Sequence, residues 1–125
     1  MMEDVGIVLV SHSNLLAEGL YRLVKEVAKD VSITYVGGLE DGSIGTSFER
    51  VQAAIDSNPK SQLLAFYDLG SARMNLEMAA DFSDKEIIIN QVPIVEGSYT
   101  AAALIQAGTD KNTILMQLAE LHITK

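Results

Sequence analysis

Residues 5–20 read VGIVLVSHSNLLAEGL, and this stretch decides the fold. Val5 to Val10 is an unbroken aliphatic run rather than an alternation, which marks a strand covered on both faces. Ser11-His12-Ser13 follows at once. Then Leu15, Leu16, Leu20, Leu23, Val24 and Val27 recur at helical spacing, with Glu18, Arg22, Lys25 and Glu26 mostly between them. Ser13 or Asn14 makes a sound N-cap. A buried strand therefore delivers a histidine, one of only two in the chain, to the point where a helix begins.

The same grammar repeats downstream. VSITYVGG (31–38) is a second strand, rich in β-branched residues and closed by paired glycines. The polar loop LEDGSIGT follows, and then a helix with Phe48, Val51 and Ile55 on one face, stopped near Asn58-Pro59. QLLAFYDL (62–69) is a third strand, and GSARMNLEMAADF (70–82) a turn and helix in which Met74, Met78 and Phe82 stack four apart. The Met74/Met78 pair reads as core packing. EIIIN is a fourth strand, IVEGSYTAAALIQAG a small-residue helix closed by Gly108, and Asp110 caps a last helix striped by Ile114, Leu115, Leu118 and Leu121. The order β-α-β-α-β-α-β-α-α predicts an open, doubly wound α/β sheet, mainly parallel, with helices on both faces. Such sheets bind ligands beyond the carboxyl ends of their strands.

Composition narrows the class. At 125 residues the chain, 1–125, fits one domain, with no repeat and no low-complexity segment. The absence of cysteine excludes disulfides and thiolate metal sites. The acidic start MMEDVGIVLV lacks the basic flank of a secretory signal, and its apolar run is too short for a bilayer, which predicts a soluble, cytoplasmic protein. A net charge of -8 disfavours nucleic acid and anionic membranes as partners. It suits a basic protein partner, and equally it suits simple solubility.

The strand ends carry the chemistry. The first ends in Ser11-His12-Ser13, the second in Gly37-Gly38, the third in Asp68-Leu69-Gly70-Ser71. A carboxylate on one ring nitrogen fixes the tautomer and leaves the other nitrogen as a nucleophile. Glycines with Thr46 and Ser71 near helix starts offer N–H groups to an anion. Together these describe a histidine that accepts a phosphoryl group; the plainer reading of His12 is a polar cap on the next helix. Three other readings fail. A receiver domain needs an acidic pair after the first strand, a dinucleotide site needs G-x-G-x-x-G there, and a hydrolase needs a nucleophile elbow that LGSAR lacks. No ligand spacing supports a metal, and no cofactor is called for. His122, in the last turn of the final helix, suits the helix dipole. Arg73 reads as a solvated arginine, or as a contact for phosphate or a partner.

GIVLVSHSNLLAEGL, GGLEDGSIGTSF, YDLGSARMNLEMA and VPIVEG together resemble the phosphotransfer subunit of the bacterial dihydroxyacetone kinase that depends on the phosphoenolpyruvate phosphotransferase system, whose carrier domain is similar to the mannose-type IIA domains. The resemblance spans nearly the whole chain, with VSHS, IGTS and DLGSA in order. It implies strand order 2-1-3-4 and a homodimer. It also implies that a histidine takes a phosphoryl group from HPr and gives it to ADP on the kinase's nucleotide-binding subunit. Carried over by position, His12 is the acceptor, Asp68 orients its imidazole, and Gly38, Gly45, Thr46, Gly70 and Ser71 frame the phosphate. Some members carry fused donor domains; a chain ending at Lys125 leaves the donors as separate proteins. A sugar-transporting mannose-type IIA domain, or a regulatory module controlled by histidine phosphorylation, shares the chemistry with a different partner.

Overall fold

In the computed structural model, which describes residues 4–125, the opening stretch forms β1 (Val5–Ser11) and α1 (Asn14–Val27). Residues 1–3, part of the acidic start, lie outside the described residues. The chain continues through β2 (Ile33–Gly37), α2 (Phe48–Ser57), β3 (Gln62–Tyr67), α3 (Ser71–Asp81), β4 (Glu86–Asn90), α4 (Ile94–Gln106) and α5 (Lys111–Ala119). All strand pairs are parallel and the sheet order is β2-β1-β3-β4, so β1 lies between β2 and β3. That central position explains its unbroken apolar sequence, because both faces of β1 need cover.

Alternate residues of the strands feed two cores. Val5, Ile7 and Leu9 of β1, with Leu64 and Phe66 of β3, pack under Leu20 and Val24 of α1, Ala101, Ala102 and Ile105 of α4, and Ile114 and Leu118 of α5. Val8 and Val10, with Leu63, Ala65 and Tyr67, pack under Val51 and Ile55 of α2 and Ala72, Leu76 and Ala79 of α3. The C-terminal stripe is thus core, with Leu115 and Leu121 at its margin. Side-chain caps start the helices where expected: Ser13 Oγ accepts from the Leu16 N–H, and Asp110 accepts from the Thr113 N–H.

Two helices depart from the sequence reading. Met74 and Met78 do not pack in the core: Met74 is 70% exposed, Met78 is also exposed, and Phe82 is 70% exposed. The helix turns its opposite stripe, Ala72-Leu76-Ala79, to the sheet, and small side chains there let the helix backbone approach closely. On α1 the buried set is Ala17, Leu20 and Val24, while Leu15, Leu16, Leu23 and Val27 face outward. His122 is also displaced from its expected place. Helix α5 ends at Ala119, so His122 sits exposed beyond the helix rather than in its last turn.

One glycine governs the link between β2 and the β1–α1 turn. A Cβ on Gly37 would lie 2.3 Å from the Ser13 carbonyl oxygen and 2.8 Å from Asn14 Cα, both backbone atoms that cannot step aside. Gly37→Ala is expected to cost roughly 3 kcal/mol or more, through forced overpacking of the backbone. Urea denaturation measures it, and an unchanged midpoint would show that the turn can yield.

Candidate functional site

β1 and β3 are direct neighbours, with Val10 paired to Tyr67, so the residues that follow each strand emerge side by side. The Asp68 N–H continues the ladder by donating to the Val10 carbonyl at 3.2 Å. His12 and Asp68 thereby meet across 56 residues of sequence: His12 Nδ1 lies 2.8 Å from Asp68 Oδ1. Both side chains are mostly buried, at 14% and 12% exposure. The other ring nitrogen, Nε2, lies 2.6 Å from Ser71 Oγ in the first turn of α3.

Asp68 is held from every side. Its Oδ2 accepts from Ser11 Oγ at 2.7 Å and from the His12 N–H at 3.0 Å, and its Oδ1 also accepts from the Leu69 N–H at 2.7 Å. Burial pushes its pKa up, but the hydrogen bonds from His12, Ser11 and Leu69 together outweigh burial and hold it below the ordinary aspartate value. An ionised, acceptor-only Asp68 requires His12 Nδ1 to carry a proton. The Nε2 lone pair then points at Ser71, whose hydroxyl can donate to it.

Ser11 is the member of this set that the sequence reading did not assign. Besides bonding Asp68, its Oγ accepts from the Ser13 N–H at 3.0 Å, which ties the carboxylate to the turn carrying His12. A hydroxyl residue closing a wholly apolar strand was the available signal.

The remaining expected residues divide by what their N–H groups do. Gly38 donates to the Ser11 carbonyl and Gly45 to the His12 carbonyl, at 3.3 and 2.9 Å, so these N–H groups lash the β2–α2 loop to the histidine turn. Both have positive φ, +75° and +147°, which favours glycine. Arg50 closes the loop from the far side by donating to the Gly37 and Gly38 carbonyls. Thr46 Oγ1 accepts from Asn75 Nδ2 at 2.8 Å, joining the same loop to α3. Gly70 and Ser71 differ. Among the described residues their N–H groups make no hydrogen bond, and α3 begins without a side-chain cap. An uncapped helix N-terminus thus stands beside Nε2, where N–H groups and the helix dipole favour an anion. Arg73 is held by Gln91 at 2.6 Å and by Glu77 at 3.6 Å. No group of three or more metal-ligating side chains occurs among the described residues, nor is any helix long and apolar enough to cross a membrane.

A doubly wound parallel sheet with an aspartate-oriented histidine at its carboxyl edge is the class that fold and geometry define. Comparison with known proteins narrows it. The family model EIIA-man, described as the PTS system fructose IIA component, matches residues 6–115. The chain is 53% identical over 120 residues to the phosphotransferase subunit DhaM of a PTS-dependent dihydroxyacetone kinase of Lactococcus lactis, covering 96% of this chain and 98% of that one. It is 47% identical over 123 residues to the phosphoryl donor subunit DhaM of PEP-dependent dihydroxyacetone kinase 1 of Listeria innocua, covering 98% and 99%. A crystal structure described as the unknown function protein EF1359 superposes with a TM-score of 0.83 at 26% identity, covering 96% of each chain. The chain belongs to the EIIA-man family, and within it to the phosphoryl donor subunits of PEP-dependent dihydroxyacetone kinases.

Proposed function

We propose that the chain, as one domain, carries a phosphoryl group on His12 Nε2, taking it from HPr and passing it to ADP on the nucleotide-binding subunit of dihydroxyacetone kinase. The observation that carries this is the division of labour on the ring: Nδ1 on the Asp68 carboxylate, and the Nε2 lone pair turned to the Ser71 hydroxyl at an uncapped helix start. In the first step the Nε2 lone pair attacks the phosphorus of the donor phosphohistidine. A new N–P bond forms, the old one breaks, and its electron pair returns to the donor ring. His12 then carries the phosphoryl group on Nε2 and a proton on Nδ1, a cationic ring that the ionised Asp68 stabilises. In this reading the unbonded Gly70 and Ser71 N–H groups and the Ser71 hydroxyl meet the phosphoryl oxygens. In the second step a terminal oxygen of ADP attacks the phosphorus, the N–P electrons return to Nε2, and ATP leaves.

Protein partners on both sides fit the rim of the site. Leu15, Ile44, Leu69 and Met74 are exposed apolar residues on the turns and first helical turns that gather at this edge, an uncommon grouping on a solvated surface. A homodimer is supported by β4, an edge strand that carries Ile87, Ile88 and Ile89. These roles belong to a cytoplasmic protein.

The test is phosphoryl transfer from the labelled chain to candidate acceptors. Label is expected in ATP only when ADP and the nucleotide-binding subunit are both present. Transfer to a sugar-transport component instead, or to no acceptor, overturns the assignment of the recipient.

A further inference from the structure

Beyond α5 the chain returns across the carboxyl edge of the sheet. The Ile123 N–H donates to the Gln91 carbonyl at 3.1 Å, and Gln91 Nε2 donates to the Ile123 carbonyl at 2.8 Å, so the segment is pinned just past the end of β4. Arg73 fixes Gln91 from the other side. The segment then passes over Gly70, where a Cβ would lie 3.5 Å from both the carbonyl carbon and oxygen of Lys125. Lys125 places its ammonium 2.5 Å from the Tyr67 carbonyl and 3.9 Å from the centre of the Tyr67 ring. Tyr67 is the last residue of β3, immediately before Asp68.

We propose that Lys125 is a positioning residue of the phosphoryl site, holding the Tyr67–Asp68 junction and supplying the positive charge that offsets the anion formed on His12. The inference rests on the reading of His12 as phosphoryl acceptor. Charge makes the need plain. Phosphorylation adds a dianionic group beside an ionised Asp68, on a chain whose net charge is already -8. The two arginines near this edge are engaged elsewhere: Arg50 with the Gly37 and Gly38 carbonyls, Arg73 with Gln91 and Glu77. Lys125 lies within electrostatic range of Asp68, the residue after Tyr67. Burial lowers its pKa, and the Asp68 charge acts in the opposite sense. The Tyr67 carbonyl accepts from the ammonium and the Tyr67 ring face attracts the cation.

The test compares Lys125→Met with Lys125→Arg. The readout is the equilibrium constant for phosphoryl exchange with HPr, from the phosphorylated fractions of both proteins. Docking contacts cancel from that constant, since it compares only the free phosphorylated and unphosphorylated forms. Lys125→Met keeps the apolar stem over Tyr67 and is expected to shift the constant roughly fivefold against phospho-His12, the effect of one partly screened charge. Lys125→Arg is expected to restore it. An unchanged constant in Lys125→Met overturns the proposal, and so does an equal loss in both variants, which marks a packing role without charge. Failure of the wild-type chain to take label at all overturns instead the acceptor role of His12, and this inference falls with it.

Discussion

His12→Ala is expected to abolish phosphoryl uptake while leaving the fold intact. Incubated with phosphoenolpyruvate, enzyme I and HPr, the variant should label below about one thousandth of the wild type, because removing a nucleophile leaves no alternative route of similar rate. The fold survives for a local reason. Truncation removes the ring but not the His12 N–H, so Asp68 keeps its bonds from Ser11 Oγ, the His12 N–H and the Leu69 N–H. The part-buried ring also carries little of the core, which is built from β1 residues up to Val10. The stability cost is that of the ring's two hydrogen bonds, to the Asp68 carboxylate and the Ser71 hydroxyl, roughly 2–4 kcal/mol. Ser71, whose Oγ lies 2.6 Å from Nε2, is the competing nucleophile to watch. Label on His12→Ala, whether at Ser71 or elsewhere, would remove His12 from the centre of the mechanism.

Much of this site was legible because a parallel α/β sheet converts sequence position into place. A histidine after the first strand and an aspartate after the third come together whenever those strands are neighbours, as β1 and β3 are. The alternation of apolar strands and helices gave the layers, whereas the strand order came from family resemblance. What stayed hidden depends on contacts that periodicity does not encode. Met74, Met78 and Phe82 share a helical face as truly as Ala72, Leu76 and Ala79 do; hydrophobicity favours the first set and close helix–sheet packing selects the second. The glycines after β2 read as phosphate ligands, yet the N–H groups of Gly38 and Gly45 are spent on the Ser11 and His12 carbonyls. Only the tertiary approach of that loop to β1 reveals it. Lys125 is the extreme case, a residue at the far end of the sequence lying on the aromatic ring next to Asp68.

The second large effect is expected from Asp68→Asn, a change of one atom type that alters which proton His12 can hold. The carboxylate receives four hydrogen bonds, two on each oxygen. An amide has one acceptor oxygen and one donor NH2. If the NH2 replaces Oδ1, it faces the Leu69 N–H and offers a proton to His12 Nδ1. The ring then moves its own proton to Nε2, and the nucleophilic lone pair is lost. If the NH2 replaces Oδ2, it meets the His12 N–H donor to donor, and the loop must distort. Neither orientation leaves a negative charge to stabilise the cationic ring of phospho-His12. Transfer from HPr is therefore expected to slow by about 10²–10⁴-fold, the scale on which a wrong tautomer inactivates a histidine base. Stability gives an independent check. Because the folded pKa of Asp68 lies below its ordinary value, its ionised form stabilises the fold above the unfolded pKa of about 3.9. That contribution fades as pH falls through the folded pKa. The stability gap between wild type and Asp68→Asn should thus be widest near neutrality and narrow in the acid range. The other acid-shifted carboxylates, Asp4, Asp41 and Asp110, are common to both proteins and cancel. Urea titrations at a series of pH values measure the gap, and stopped labelling reactions measure the rate. Wild-type transfer kinetics in Asp68→Asn would show that the carboxylate holds the turn without directing the ring. A gap independent of pH would show that its charge contributes nothing to the fold.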